Sequence, residues 1–172
     1  MQYRIAFIMG LLCLSHPLHA ERAAFTLPNG DRYEGDVFDG VLSGSGVYEW
    51  ADGDRYEGEF NDDLPSGQGL YIWADGRRYE GEFVDGKRQG YGSLTWANGD
   101  VYEGDFFANY MQGNGTFRWA TGDRYVGSFM ANKRHGAGSM SWAEGQRYDG
   151  EFQNDTLHGQ GIYQWPDGRY FK

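Results

Sequence analysis

The 172-residue chain contains one cysteine, Cys13, and four prolines, and its aliphatic residues thin out after the first 20 positions. A single thiol cannot close an intrachain disulfide, so stability has to come from packing. No stretch reaches the roughly 20 apolar residues that a permanent bilayer-spanning helix needs. Positive charge is scarce as well: 15 Lys and Arg stand against 25 Asp and Glu, a formal net charge of −10. That balance argues against a sequence-independent nucleic-acid binder, which depends on cationic contacts to phosphate. Rings and glycine are what the chain has in quantity. Phe, Tyr and Trp number 11, 13 and 6, so the interior must be built from aromatic side chains. The 28 glycines would suggest disorder if they were scattered, but they are periodic.

Met1 to Arg4 is a short basic start, Ile5 to Leu14 an apolar run, and Ser15 to Ala20 a more polar stretch. That order resembles a secretory signal peptide cut after Ala20, with Ala23 and Ala24 as alternative sites. The expectation is a secreted chain, periplasmic if the source is bacterial. Removing residues 1–20 takes away Arg4, Cys13 and no acid, which leaves 14 basic and 25 acidic residues and a net charge of −11. Lipidation at Cys13 is the weaker reading, because Gly10-Leu11-Leu12 before it and the histidine-bearing stretch after it fit an anchor site poorly.

The rest of the chain falls into rows of 23 residues that begin at Asp31, Asp54, Arg77, Asp100, Asp123 and Gln146, six full repeats. Four columns of glycine, starting at Gly35, Gly44, Gly46 and Gly30, account for 25 of the 28. All six tryptophans, Trp50, Trp73, Trp96, Trp119, Trp142 and Trp165, share one further column. Within a row the alternation has the period of a strand: Tyr56, Gly58 and Phe60 face one way, and Arg55, Glu57 and Glu59 the other. Gly67, Gly69, Tyr71 and Trp73 share a face in the same manner. A glycine inside a strand weakens it unless something needs the space, and a ring from a neighbouring strand lying over the bare backbone is such a reason. Trp-Ala-Asp-Gly, as in Trp73-Ala74-Asp75-Gly76, turns the chain into the next row, since Asp-Gly is a strong tight-turn signal between strands. The stretch between the strands, such as Asn61 to Ser66, reads as a six-residue loop with Gly40, Asp63, Gly86, Asn109, Asn132 or Asp155 at a position suited to positive φ. The fold class expected is all-β: an elongated, twisted, solenoid-like single sheet, an antiparallel meander of six β-hairpin repeats.

Tyr56-Glu57-Gly58-Glu59-Phe60, Gly67-Gln68-Gly69 and Asp75-Gly76, recurring every 23 residues, resemble the MORN (membrane occupation and recognition nexus) repeat. Tyr79-Glu80-Gly81-Glu82-Phe83 repeats the first motif unchanged, while Tyr125-Val126-Gly127-Ser128-Phe129 loses both acids. The organisation expected is a signal peptide over 1–20, an N-terminal cap and partial repeat over 21–30, six repeats over 31–168, and a truncated seventh repeat, out of pattern, over 169–172. Leu27 stands in the tryptophan column, where it can cap the end. The resemblance implies a non-catalytic scaffold, since such arrays occur in scaffolding, dimerising and membrane-associated proteins, and no kinase or methyltransferase segment accompanies this one.

The candidate chemistry is weak outside that reading. Glu57, Glu59 and their counterparts, beside Arg32, Arg55, Arg78, Arg124 and Arg147, read as a solvated face with cross-strand ion pairs rather than a cation site. Asp52-Gly53-Asp54 lacks the spacing of a calcium loop. His135 and His158 stand one repeat apart, roughly 10 Å by strand spacing, too far to share a zinc ion. No nucleophile, base and orienting acid can be assembled from spacing, so no catalytic residue, metal site or cofactor is assigned. The most variable column holds the candidate partner or headgroup contact: Lys87, Arg88, Tyr110, Met111, Lys133 and Arg134, two basic pairs around an apolar one. The function expected is protein–protein interaction or self-association as a homodimer, because the last row stops mid-strand and leaves hydrogen-bonding groups unpaired. An envelope lipid- or glycan-binding module, with exposed rings stacking on sugars or basic pairs on an anionic headgroup, is the alternative.

Overall fold

The structure, a computed structural model, describes residues 20–172. The expected signal segment and Cys13 lie outside the described residues, apart from Ala20. The strands run β1 (Ala20–Thr26), β2 (Arg32–Phe38), β3 (Val41–Glu49), β4 (Arg55–Asn61), β5 (Leu64–Ile72), β6 (Arg78–Val84) and β7 (Lys87–Thr95). They continue as β8 (Val101–Phe107), β9 (Tyr110–Arg118), β10 (Arg124–Met130), β11 (Lys133–Ser141), β12 (Arg147–Gln153), β13 (Thr156–Gln164) and β14 (Tyr170–Phe171). All 14 pair antiparallel with their chain neighbours in one sheet, and no helix occurs among the described residues. At about 4.8 Å per strand the sheet extends roughly 60 Å.

Register shows why glycine recurs. Gly35 pairs with Gly46, Gly46 with Gly58, Gly58 with Gly69 and Gly69 with Gly81, and the line continues through Gly150 and Gly161. Twelve glycines thus cross β2 to β13 in one row perpendicular to the strands. Over each hairpin's pair lies a tyrosine: a Cβ on Gly58 would come within 2.6 Å of the Tyr56 hydroxyl, and one on Gly81 equally close to that of Tyr79. The ring comes from the same hairpin, and for the first glycine of the pair from the same strand, where the alternation had suggested a neighbouring one. The Tyr56 hydroxyl donates to the Glu59 carbonyl at 2.9 Å, and the bond recurs from Tyr33, Tyr79, Tyr102, Tyr125 and Tyr148 to the carbonyl three residues on. At that carbonyl the ladder slips: Gly58 pairs with Gly69 but Glu59 with Ser66, so Gly67 and Gln68 bulge out of the hairpin, with Gly67 at φ 60°.

The loops between the strands are shorter than the pattern suggested. β4 ends at Asn61 and β5 begins at Leu64, and both intervening residues have positive φ, Asp62 at 48° and Asp63 at 66°. Such two-residue turns match the twist of a hairpin, so the strands pair to their ends and no six-residue loop forms. The position foreseen for positive φ has it, and so does the residue before it.

Two kinds of side-chain staple recur along the array, though not in every repeat: Arg77 and Gln146 stand where the first has its aspartate. The Asp54 carboxylate accepts from the Ala74 N–H at 2.9 Å and the Tyr71 hydroxyl at 2.6 Å, and Asp31 does the same with Ala51 and Tyr48. Burial opposes ionisation of Asp31, yet the bonds from Ala51, Tyr48 and Asn29 hold its carboxyl below the usual carboxylate range. Asp100 and Asp123 keep only the backbone bond, because Phe117 and Met140 replace the tyrosine. At Gln146 the partner position is Pro166, which has no N–H, and the Gln146 Oε1 is buried without a partner among the described residues. The second staple runs backwards: Asp63, Asn109, Asn132 and Asp155 accept from the N–H of Leu42, Arg88, Met111 and Arg134. Gly86 has no side chain to accept with, and the residue it faces, Pro65, has nothing to donate.

The rings make one core on one face of the sheet. Tyr56, Tyr79, Tyr102 and Tyr125 each meet the phenylalanine of their own strand edge-on and that of the next repeat likewise, Tyr56 lying 5.1 Å from both Phe60 and Phe83. Phe171 pairs with Tyr163 and so occupies the tyrosine column; the seventh row starts in register, not out of pattern. The core tyrosine hydroxyls resist ionisation. Burial first, and neighbouring acids for most of them, push Tyr33, Tyr56, Tyr79 and Tyr125 up to about 12, and raise Tyr48, Tyr71 and Tyr102 as well. In an unfolded chain these groups titrate near 10. Their neutral form is therefore favoured by folding, a stabilisation fully present below about pH 10 and lost as pH climbs through about 12. Far-UV circular dichroism should hold to about pH 9 and then collapse cooperatively, in step with tyrosinate absorbance; phenolate appearing at its ordinary pH with the sheet intact would contradict the packing described.

Candidate functional site

The two faces of the sheet differ in kind. The reverse face carries the acids of the first strands, and its ion pairs run mostly along one strand rather than across strands: Arg55 to Glu57 at 2.7 Å, Arg78 to Glu80 at 2.8 Å, Arg147 to Asp149 at 2.6 Å. Arg118 with Glu103, and Arg55 with Glu49 at 3.8 Å, do cross strands. All are solvent-exposed to a degree that leaves each worth at most about 1 kcal/mol. No group of three or more His, Asp or Glu is placed to hold a metal ion among the described residues.

The aromatic face carries the tryptophans in a row across the strands. Each sits at a hairpin-connecting turn closed by two backbone bonds, as where the Trp73 N–H donates to Arg77 and its carbonyl accepts from Gly76, both at 2.9 Å. Trp50, Trp73, Trp96, Trp119 and Trp142 are half-buried against the core and Trp165 is more open. The row is divided into stacks. Trp50, Tyr71 and Trp73 form one, Trp96, Phe117 and Trp119 a second, and Trp142, Tyr163 and Trp165 a third, with centroid separations between 4.4 and 5.5 Å. Leu94 and Met140 fill the gaps, each in a strand that also carries an inward arginine.

The structure divides the six sequence-derived contact residues between the two faces, because each adjacent pair starts a strand and alternates. Lys87, Tyr110 and Lys133 are exposed, while Arg88 and Arg134 are half-buried and Met111 is buried at 7% exposure. Arg88 lies 5.6 Å from Trp73 and Tyr79 and 5.4 Å from Phe106, and its Nη2 donates to the Asn109 carbonyl at 2.7 Å. Arg134 lies 5.5 Å from Trp119 and Phe152 and donates to the Asp155 carbonyl and carboxylate at 2.7 and 3.1 Å. These guanidinium groups act as lids on the ring core. Burial, with Arg77 nearby, draws Arg88 below its ordinary value.

A signal for this arrangement stood in the sequence unread. Strands with Leu42, Pro65, Met111 or Leu157 at the lid position have Tyr48, Tyr71, Phe117 or Tyr163 six residues on, whereas those with Arg88 or Arg134 have Leu94 or Met140. A guanidinium and a ring compete for one volume. The histidines separate too: His158 is exposed, and His135 has its Nδ1 buried without a hydrogen-bond partner among the described residues. At the same column Gln89 and Gln112 accept the N–H of Ala108 and Ala131. Beyond Tyr163 and Gln164, which pair with β14, the outer edge of β13 has no partner strand among the described residues. A hollow of about 1150 Å³ lies there, lined by Tyr148, Leu157, Tyr163, Trp165 and Phe171 among others.

The family model for the MORN repeat matches residues 33–55, 56–77, 79–101, 102–124, 125–147 and 148–168. No curated protein matches the chain. Among solved structures, the chain is similar to the SAS-4 (dCPAP) TCP domain of Drosophila melanogaster, solved in complex with a proline-rich motif of Ana2 (dSTIL). That pair is 13% identical with a TM-score of 0.54, over 97% of this chain and 96% of that one. The G-box domain of the microcephaly protein CPAP (14% identity, TM-score 0.28, 88% and 97% covered) and the TCP10 domain of Danio rerio CPAP (14%, 0.27, 95% and 98%) also match.

Met140→Tyr should cost about 1 to 3 kcal/mol in urea denaturation, because the added ring meets the Arg134 lid. Adding Arg134→Leu should recover the loss to within about 1 kcal/mol, and strictly additive effects in the cycle would show that lid and ring do not share a volume.

Proposed function

Since this chain belongs to the MORN repeat family, we propose that it is a non-catalytic scaffold that binds a protein partner along the aromatic face of its sheet. The observation that carries this reading is the row of tryptophans, half-buried in a face that is otherwise closed by rings and arginine lids. A half-exposed aromatic row offers rigid contact area at little entropic cost, the property that concentrates Trp, Tyr and Arg at binding hot spots. The Drosophila domain that shares the fold was solved with a proline-rich motif of another protein, which supports a sheet of this kind as a peptide platform. The basic pairs support a lipid-headgroup role less well, because two of their four cations are spent on rings and backbone carbonyls. A second copy of the chain is the other candidate partner, favoured by the stretch of β13 beyond β14 that has no partner strand among the described residues.

Export belongs to the same reading. The basic start, the apolar run and the polar stretch ending at Ala20 support a cut there, and Glu21 to Thr26 would remain paired with β2. A cut after Ala23 would strip three of those six pairs, and one after Ala24 four.

Crosslinking in the native envelope should recover a protein neighbour, with the yield falling about tenfold when Trp96→Leu and Trp119→Leu are combined in a chain of unchanged circular dichroism. The recovered chain should begin at Glu21. A yield indifferent to both tryptophans would move the interface elsewhere, to the edge of β13 if light scattering then shows a dimer. A full-length chain held inside the cell would remove export.

A further inference from the structure

The tryptophan row has a fixed spacing because each indole is locked to its hairpin. Trp50 lies 5.2 Å from Tyr71 and Tyr71 4.5 Å from Trp73, so indoles of adjacent repeats stand at most about 10 Å apart. Trp96, Phe117 and Trp119, with steps of 5.2 and 4.4 Å, set the same limit. Two strands at about 4.8 Å each give the repeat the same length. A polyproline II helix has three residues per turn and rises about 3.1 Å per residue, a pitch of about 9.3 Å. Such a segment laid across the strands therefore brings every third residue over the next indole.

The hydrogen-bonding groups distinguish this ligand from others of similar period. Two turns of an α-helix span about 10.8 Å, close to the indole spacing, but its carbonyls are committed to internal bonds. A β-strand repeats its face every 6.6 to 6.8 Å or so and falls out of step. None of the indole N–H groups is bonded to an acceptor among the described residues, and those of Trp50 to Trp142 are not sealed from solvent, so each remains a donor for a ligand carbonyl. A polyproline II backbone has every carbonyl free, and flat prolyl rings stack on indole faces.

We infer that the aromatic face binds a polyproline II segment of its partner, running across the strands with a proline every third residue on successive tryptophans. This rests on the scaffold reading above and names the chemistry of its partner. Guanidinium groups already lie over two of these indoles, Arg77 at 4.8 Å and Arg88 at 5.6 Å from Trp73 and Arg134 at 5.5 Å from Trp119, so at those two positions the segment shares the indole with a cation whose N–H groups can donate to its free carbonyls.

The probe is a set of synthetic Pro-Ala-Gln peptides of increasing length, titrated into the full chain and read by tryptophan fluorescence. Each added triplet that reaches a further indole should tighten binding about three- to tenfold. A peptide of the same composition with its prolines moved off the three-residue period should bind at least about tenfold more weakly. Indole N–H resonances of isotope-labelled protein should move with the in-register peptide, a readout that needs no variant. Equal affinity for both peptides, or unmoved indole resonances, would overturn the inference. If a crosslinked partner then still depends on Trp96 and Trp119, the scaffold reading survives and only its polyproline ligand falls. If the peptides bind in register but no partner depends on those tryptophans, the scaffold reading falls instead.

Discussion

A phenol ring lying on bare backbone is the constraint from which the rest of this molecule follows. Each core tyrosine spans a cross-strand pair of glycines and ends in a hydrogen bond to the carbonyl three residues ahead. A methyl group at either glycine would occupy the space of the ring, so the pair must be glycine. Two adjacent bare positions leave a furrow that only a flat side chain can fill, so the ring must be aromatic. The hydroxyl's carbonyl sits where the ladder slips, which makes the bulge part of the same unit. Twelve paired glycines then align in one row, and a slip at any hairpin would place a ring over a side chain.

Once the ring is seated, the phenylalanine of the next repeat has only its edge to meet, and repeats stack with one geometry throughout. The small differences between repeats compensate one another locally. Where an arginine caps the core the neighbouring ring shrinks to Leu94 or Met140, and where a proline removes a donor the acceptor opposite it is missing in one case and stranded in the other. A face built this way is chemically uniform along its length, which suits an extended ligand better than a compact one. The acids are left to the reverse face, where they keep an otherwise ring-rich sheet in solution.

Much of the fold was legible because the period was. Alternation assigned Tyr56, Gly58 and Phe60 to one face, Asp-Gly placed the turns, and the missing helix followed from both. The candidate site was legible only in part. Arg88 and Arg134 looked like free surface cations, since a pair of basic residues in a variable column gives no sign of which one alternation turns inward. Four of the six hairpin ends, such as Asp62-Asp63, carry no glycine and so read as loops, their two-residue turn showing only in the paired positive φ angles; Asp39-Gly40 and Asp85-Gly86 did carry the Asp-Gly signal. Phe171 looked out of place beside Tyr170, although the register puts it in the tyrosine column.

By itself, then, the amino-acid order determined the repeat length, the face taken by residues such as Tyr56, Gly58 and Phe60 and the aromatic nature of the core, all consequences of local periodicity. Only the tertiary structure decided which tyrosine covers which glycines, which arginines become lids and how far apart the indoles stand. Those depend on contacts between residues 9 to 21 positions apart in the chain, which meet only once the sheet has formed.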